Sequence, residues 1–257
     1  MEANDAVKKI INAHGGEEFW NGLEALEAEI SASGLLFTFK RRPVLDRVKI
    51  TAYAHEPRFV FHDFPSPGLT GELVGDSNVR VVSNEGDIVQ KRENPRSAFK
   101  GFSRLLSWDD LDFIYFGGYA TWNYLVAPFF FLRQGFHFEV LEPITVSSSS
   151  WFRLKVTMPE NLPTHSREQI FYFDENWHLQ RLDYVAEVVG GWAHAAHLCE
   201  NYLNFNGLTA PTRRRVRPIL FGAHPLPGPI LVALDIHNIL PVSRSTASDI
   251  KNSSGKS

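Results

Sequence analysis

Apolar and polar residues alternate with a period of two along most of this chain. Leu26, Ala28, Ile30 and Ala32 interleave with Glu27, Glu29, Ser31 and Ser33. The same pattern returns at Val48, Ile50 and Ala52, and at Phe152, Leu154, Val156 and Met158. Side chains two apart share one face of a strand, so each run predicts a strand with one dry and one wet side. Further strand-like runs occupy 58–62, 69–74, 79–83, 88–92, 136–141, 167–174, 179–189, 197–205, 209–217 and 229–240. Pro65-Ser66-Pro67-Gly68, Gly75-Asp76, Asn84-Glu85-Gly86, Asp174-Glu175-Asn176 and Asn206-Gly207 supply turns between them.

Helical signals are few. Asp5 to Asn12 and Glu17 to Leu23 read as a helical entry broken at Gly15-Gly16, and Pro95 opens a short turn ending at Phe102. The exception is Leu111 to Leu132, which carries nine aromatic residues and one charge, Asp112, in 22 positions. Ser107 and Asp110 resemble a capping box, and Pro128 cannot continue a helix, so the spacing predicts a helix to about Tyr124. Gly117-Gly118, Asn123 and Pro128 interrupt the stretch, and no Lys/Arg asymmetry brackets it, which argues against a membrane span. A helix apolar on nearly all faces must be covered on most sides. Many short strands without a βαβ alternation then predict a mainly β (α+β) fold. Its strongly curved antiparallel sheet forms an incomplete barrel around a central aromatic helix. One domain is expected over 1–242, with a polar, disordered tail over 243–257.

Composition narrows the classes. With 257 residues and 44% apolar content the chain can bury one large core. A formal charge of −3 gives no support to a nucleic-acid binder. The opening MEANDAVKKIINAHGG is polar where a secretory signal needs an apolar run, so a cytoplasmic protein is expected. One cysteine, Cys199, excludes an intramolecular disulfide and a four-thiolate metal site, and reads as a small buried side chain.

The opening AHGGEEFWNGLEALEAEISASG, with His14-Gly15-Gly16 and Trp20 before the first alternating strand, resembles the start of proteins with the fold of the bacterial lipoprotein-localisation carrier. Residues 164–174, THSREQIFYFD, and 211–216, PTRRRV, are similar to an uncharacterised bacterial group of that architecture, which extends to cofactor-free cyclases of natural-product pathways. The resemblance covers roughly residues 3–240 and implies an incomplete antiparallel barrel closed by helices over a hydrophobic cavity.

Chemical motifs are scarce. There is no phosphate-binding glycine loop, no Gly-x-Ser-x-Gly elbow, no His-Glu-x-x-His and no paired-cysteine pattern. His194 and His197, three apart on a strand, point to opposite faces, so neither a metal nor a cofactor is expected. His165 beside Arg167 and Glu168 reads either as an acid–base group or as a surface turn, with Arg167 paired to Glu187 or another carboxylate. Arg213, Arg215 and Arg217 share a strand face that is either solvated or holds a ligand carboxylate. Asp235 and His237 share a face and can form a buried dyad.

Along the aromatic helix, Tyr115, Phe116, Tyr119, Trp122, Asn123 and Tyr124 read either as core or as the wall of a ligand cavity, with Tyr172 and Trp192 as further wall. Four of the six helix residues carry a hydroxyl or amide that a plain core would not select, which favours the cavity. The expected catalytic set is Tyr119, His165, Asp235 and His237. The expected binding set is Tyr115, Phe116, Trp122, Asn123, Tyr124, Tyr172, Trp192, Arg213 and Arg215. The reading preferred from sequence is a cofactor-independent cyclase or isomerase acting on a hydrophobic small molecule, Diels–Alder cycloadditions included, by holding it in a reactive shape. A carrier or sensor of a lipid-like ligand and an interaction protein are the alternatives. The oligomeric state is left open.

Overall fold

The computed structural model describes residues 1–101, 107–220 and 224–244. All thirteen predicted strand runs are strands, joined in one antiparallel sheet. They are β1 (Leu23–Ser33), β2 (Leu45–Tyr53), β3 (Arg58–Phe61), β4 (Leu69–Val74), β5 (Asn78–Ser83), β6 (Ile88–Glu93), β7 (His137–Val146), β8 (Ser149–Thr157), β9 (Glu168–Phe173), β10 (Leu179–Val185), β11 (His194–Phe205), β12 (Leu208–Pro218) and β13 (Val232–Ser243). The order is β6-β5-β4-β3-β2-β1-β13-β12-β11-β10-β9-β8-β7, so the sheet is open between β6 and β7. The first strand pairs with the last, Ala28 opposite Ile239, and this joint welds an N-terminal half of the sheet to a C-terminal half. Within β1 the alternation behaves as read, with Leu26, Ala28, Ile30 and Ala32 buried and Glu27 exposed. Both edge strands are blunted: β6 carries Lys91, Arg92 and Glu93, and β7 has a register shift around Pro143.

The helices are α1 (Ala3–His14), α2 (Glu17–Asn21), α3 (Leu35–Phe39) and α4 (Asp110–Val126). α2 stops two residues before the predicted end, and α3 carries no periodic signal in the sequence. β10 ends at Val185, four residues short of its apolar run. Of the predicted tail, Ser243 still belongs to β13, and 245–257 lie outside the described residues. Among the described residues no helix is long and apolar enough to cross a membrane.

The capping box of α4 sits two residues later than predicted. Asp109 accepts from the Asp112 N–H at 2.8 Å and Asp112 accepts from the Asp109 N–H at 3.2 Å. Ser107 stands two residues before the N-cap, Asp109. Arg92 of β6 holds both carboxylates at 2.6 Å, tying the helix start to the sheet edge.

Gly117 and Gly118 let α4 approach the sheet closely. A Cβ on Gly118 would lie 3.1 Å from Leu73 of β4 and 3.8 Å from Phe59 of β3. Six residues later Tyr124 reaches Tyr184 of β10, hydroxyl to hydroxyl, at 3.0 Å. In a flat sheet β3 and β10 would stand six strand spacings, about 29 Å, apart. Six helical residues advance only about 9 Å. The sheet must therefore curl, with α4 on its concave side. Leu111 to Val126 are buried apart from the half-buried Asp112 and Gly117, as expected of a helix without a polar face.

Candidate functional site

The otherwise apolar interior of the C-terminal half holds a cluster of polar side chains. The 158–167 loop delivers His165, which is 2% exposed, against the helix. Its Nε2 lies 2.7 Å from the Tyr124 hydroxyl and its Nδ1 3.3 Å from the Tyr119 hydroxyl. Tyr184 stacks on the imidazole at 4.0 Å between centroids, and Phe116 meets its edge. Burial, aided by the charge of Arg96, pushes His165 down to about 3. The ring is therefore neutral, with one N–H. One tyrosine must donate to it and the other accept. Burial likewise raises the hydroxyls of Tyr119, Tyr124 and Tyr184, so all three remain protonated. The result is a run of polarised donors that carries no net charge.

Asn123 fixes this arrangement. Its amide donates to the Pro163 carbonyl at 2.8 Å and to the Tyr119 carbonyl at 2.7 Å, pinning the loop to the helix two residues before His165. On the outer side Arg96, from the 3-10 turn Pro95–Phe99, donates to the Thr164 carbonyl at 2.8 Å and to Glu187 at 2.6 Å. These groups border a cleft of about 540 Å³ lined by Asp76, Asn94, Arg96, Tyr115, Pro163 and Glu187 among others. Tyr115 belongs to both regions, accepting from Arg96 at 3.5 Å and packing on Tyr119 at 5.1 Å.

A second polar group lies deeper, beneath α1. Arg214 of β12 is 2% exposed. It donates to the Tyr124 carbonyl at 2.5 Å and to Cys199 Sγ at 3.2 Å, and its Nη1 is 3.4 Å from His197 Nε2. In a continuing helix the Tyr124 carbonyl would receive the N–H of residue 128. That residue is Pro128, which has none, and the guanidinium takes its place. Burial raises the Cys199 thiol, away from the thiolate form.

The structure thus brings together Tyr115, Phe116, Tyr119, Asn123, Tyr124 and His165. The reading of His165 as a surface turn is corrected: Arg167 turns outward to Glu160 at 2.8 Å, while the imidazole turns in. Other members of the predicted set lie elsewhere. Trp122 is fully buried but faces β2, donating to the Tyr53 carbonyl at 2.8 Å. Trp192 sits in the β10–β11 loop, 72% exposed, and lines no interior wall.

Tyr172 is on the convex face between Arg153 and Arg181, its hydroxyl donating to Asp183 at 2.8 Å. Arg213 is exposed and pairs with Glu200. Arg215 pairs with Asp235 at 2.7 Å, and His237 is exposed with Nε2 2.8 Å from Ser31 Oγ. The predicted buried dyad is therefore an outer-face feature. The strand pairing explains why. Leu234 and Ile236 point inward, which forces Asp235 and His237 outward.

Tyr184, His197 and Arg214 were missed. Parity could have found them, since they share faces with the buried Leu182, Cys199 and Val216. In the Arg213–Arg215 run the inward residue is the middle one. His194 is exposed and His197 buried, opposite faces as expected. Among the described residues no group of three or more His, Cys, Asp or Glu could hold a metal ion.

No family model and no curated protein matches the chain. Solved structures do. A LolA superfamily protein from Nitrosomonas europaea aligns with a TM-score of 0.54 at 12% identity, over 97% of each chain. An outer membrane lipoprotein-sorting protein domain from Vibrio parahaemolyticus aligns with a TM-score of 0.53 at 9% identity, over 98% of this chain and 99% of that one. A DUF1329 family protein from Desulfovibrio piger aligns with a TM-score of 0.51 at 12% identity, over 98% of each. With its open antiparallel sheet curled over an aromatic helix, the chain has the half-barrel fold of the LolA superfamily.

Proposed function

We propose that this protein binds a hydrophobic small molecule inside the half-barrel and acts as its carrier or sensor. The observation that carries the reading is the interior of the C-terminal half. There Tyr119, Tyr124, His165 and Tyr184 are buried as a connected set beside an all-apolar helix, where packing alone would favour Leu and Phe. Such a set offers polar contacts to a molecule that is otherwise apolar. A lipoprotein-sorting description among the structural neighbours supports the same reading by likeness of fold. Mass spectrometry of the protein under non-denaturing conditions, followed by organic extraction, tests it. A stoichiometric acyl lipid or other apolar metabolite is expected. A protein that carries nothing, and takes up no lipid after its own lipids are stripped, rules the carrier out.

One observation favours a second reading, a cofactor-free cyclase or isomerase. A neutral imidazole held between two tyrosine hydroxyls is a preorganised donor set that could polarise a substrate carbonyl as charge develops. Incubation with polyene and terpenoid substrates checks it. A product of unchanged mass, lost in Tyr124→Phe, would decide for catalysis.

A further inference from the structure

Arg214 is a buried cation without an anion. Among the described residues no carboxylate lies within ion-pairing distance of it, and its Nε has no hydrogen-bond partner. Arginine does not give up its proton when buried, so the charge stays. Its partners are a helix carbonyl, a thiol sulfur and an imidazole, all neutral. Two further nitrogens in the same neighbourhood are unpartnered, His197 Nδ1 and His14 Nε2. His14 cannot turn that nitrogen into a donor without becoming charged, because its Nδ1–H already goes to the Ile10 carbonyl at 2.8 Å. Burial and the guanidinium charge both work against a second positive charge on either ring, and His14 is held down to about 4.

A core designed only to pack would not retain this group, since an uncompensated buried charge destabilises the fold. The cap on the Tyr124 carbonyl uses one guanidinium nitrogen and leaves Nε free. We propose that Arg214 is the subsite for a carboxylate head group of the hydrophobic ligand, with His197 and His14 as its neutral flanks. This rests on the carrier reading above and gives its ligand a chemical class, an amphiphilic monocarboxylate such as a fatty acid. The site holds a single positive charge, which a carboxylate monoanion balances and a phosphate dianion exceeds. The unpartnered nitrogens are sealed from solvent, so an anion enters only when α1, which carries His14 and packs on β12 and β7, shifts.

The test compares oleate, oleyl alcohol and dodecyl phosphate on the stripped full-length protein, by calorimetry below their aggregation limits. Wild type is expected to bind oleate at least about tenfold tighter than the alcohol. Arg214→Gln is expected to lose that preference and bind the two equally. Equal binding of oleate and alcohol by wild type overturns the subsite and leaves the carrier reading standing. Binding of neither overturns both. A preference for oleate that survives in Arg214→Gln removes Arg214 from the site, and tighter binding of the phosphate removes the carboxylate assignment.

Should Arg214→Gln fail to fold, Arg214→Lys keeps the charge but loses the planar fork. It is expected to retain a reduced preference for oleate. A lowered melting temperature in Arg214→Lys, with the oleate preference undiminished, would make Arg214 only a cap. The His14 and His197 imidazole nitrogen resonances provide a separate readout. Oleate, and not the alcohol, is expected to shift them.

Discussion

The two halves of the sheet both pack on the same helix, but with different chemistry. Against β2–β6, the helix packs Phe113, Ile114, Gly117 and Gly118 on Phe59, Phe61 and Leu73, an interior of hydrocarbon and rings that approach to glycine distance. Against β10–β12 and the 158–167 loop, the same helix meets Tyr184, His165, His197 and Arg214. One helix therefore serves two interiors. The first needs only shape, because dispersion and burial reward any close fit. The second is expensive, because every polar atom must find a partner, and several do not. A fold retains an expensive interior where that interior has a task, which is why the ligand reading is placed in the second half and not along the whole helix.

Substitutions can break or sharpen this contrast. Trp122→Ala, on the packed side, is expected to lower the unfolding free energy by about 3–5 kcal/mol in urea, as aromatic truncations in tight cores do. Its effect on ligand retention should not exceed that loss. A larger effect on retention would put Trp122 on a ligand wall. The polar half shows itself in acid. His165 and His14 have native values of about 3 and about 4 against 6.5 for the free side chain. Below pH 6.5 the unfolded chain thus binds protons that the folded one refuses. The stability they contribute is complete above about pH 6.5 and is lost as pH falls through these native values, on the order of a few kcal/mol in all. Denaturation midpoints recorded from pH 7 to pH 3 for wild type and His165→Asn should converge in acid. Parallel curves would mean that His165 is solvated.

Gly118→Val places a branched side chain where even a Cβ comes within 3.1 Å of Leu73. Overpacking of this kind costs about 1–3 kcal/mol. Calorimetric melting should show it, while the oleate preference stays as in wild type, since the change lies in the other half. The smallest effect belongs to Asp235→Asn. The Asp235 side chain is 45% exposed on the convex face, and its pair with Arg215 is worth about 1 kcal/mol or less. Neither binding nor the acid profile should respond, and a response would bring the outer face back into the site.

The legibility of the chain follows the same divide. Strand number, turn positions and the extent of the aromatic helix could be read because they depend on periodicity, proline and glycine, which act within a few residues. Five helix residues of the site were legible because they stand together on one element, and the sixth, Trp122, faces β2 instead. His165 was legible as a residue and not as an environment: whether a turn histidine is wet or buried depends on Asn123 and Arg96, distant in sequence, which dock its loop. Asp235, His237, Arg213 and Arg215 were misplaced because like parity says that side chains share a face without saying which face is inside.

What the sequence by itself determined is an antiparallel sheet of thirteen strands with one all-apolar helix, since alternation and capping are local. Only the tertiary structure decided that the sheet curls until β3 and β10 both touch that helix, and that Arg214, not its neighbours, faces the interior. The physical reason is that strand pairing sets the face of every side chain at once. The joining of β1 to β13, more than 200 residues apart, is a long-range event that no local pattern records.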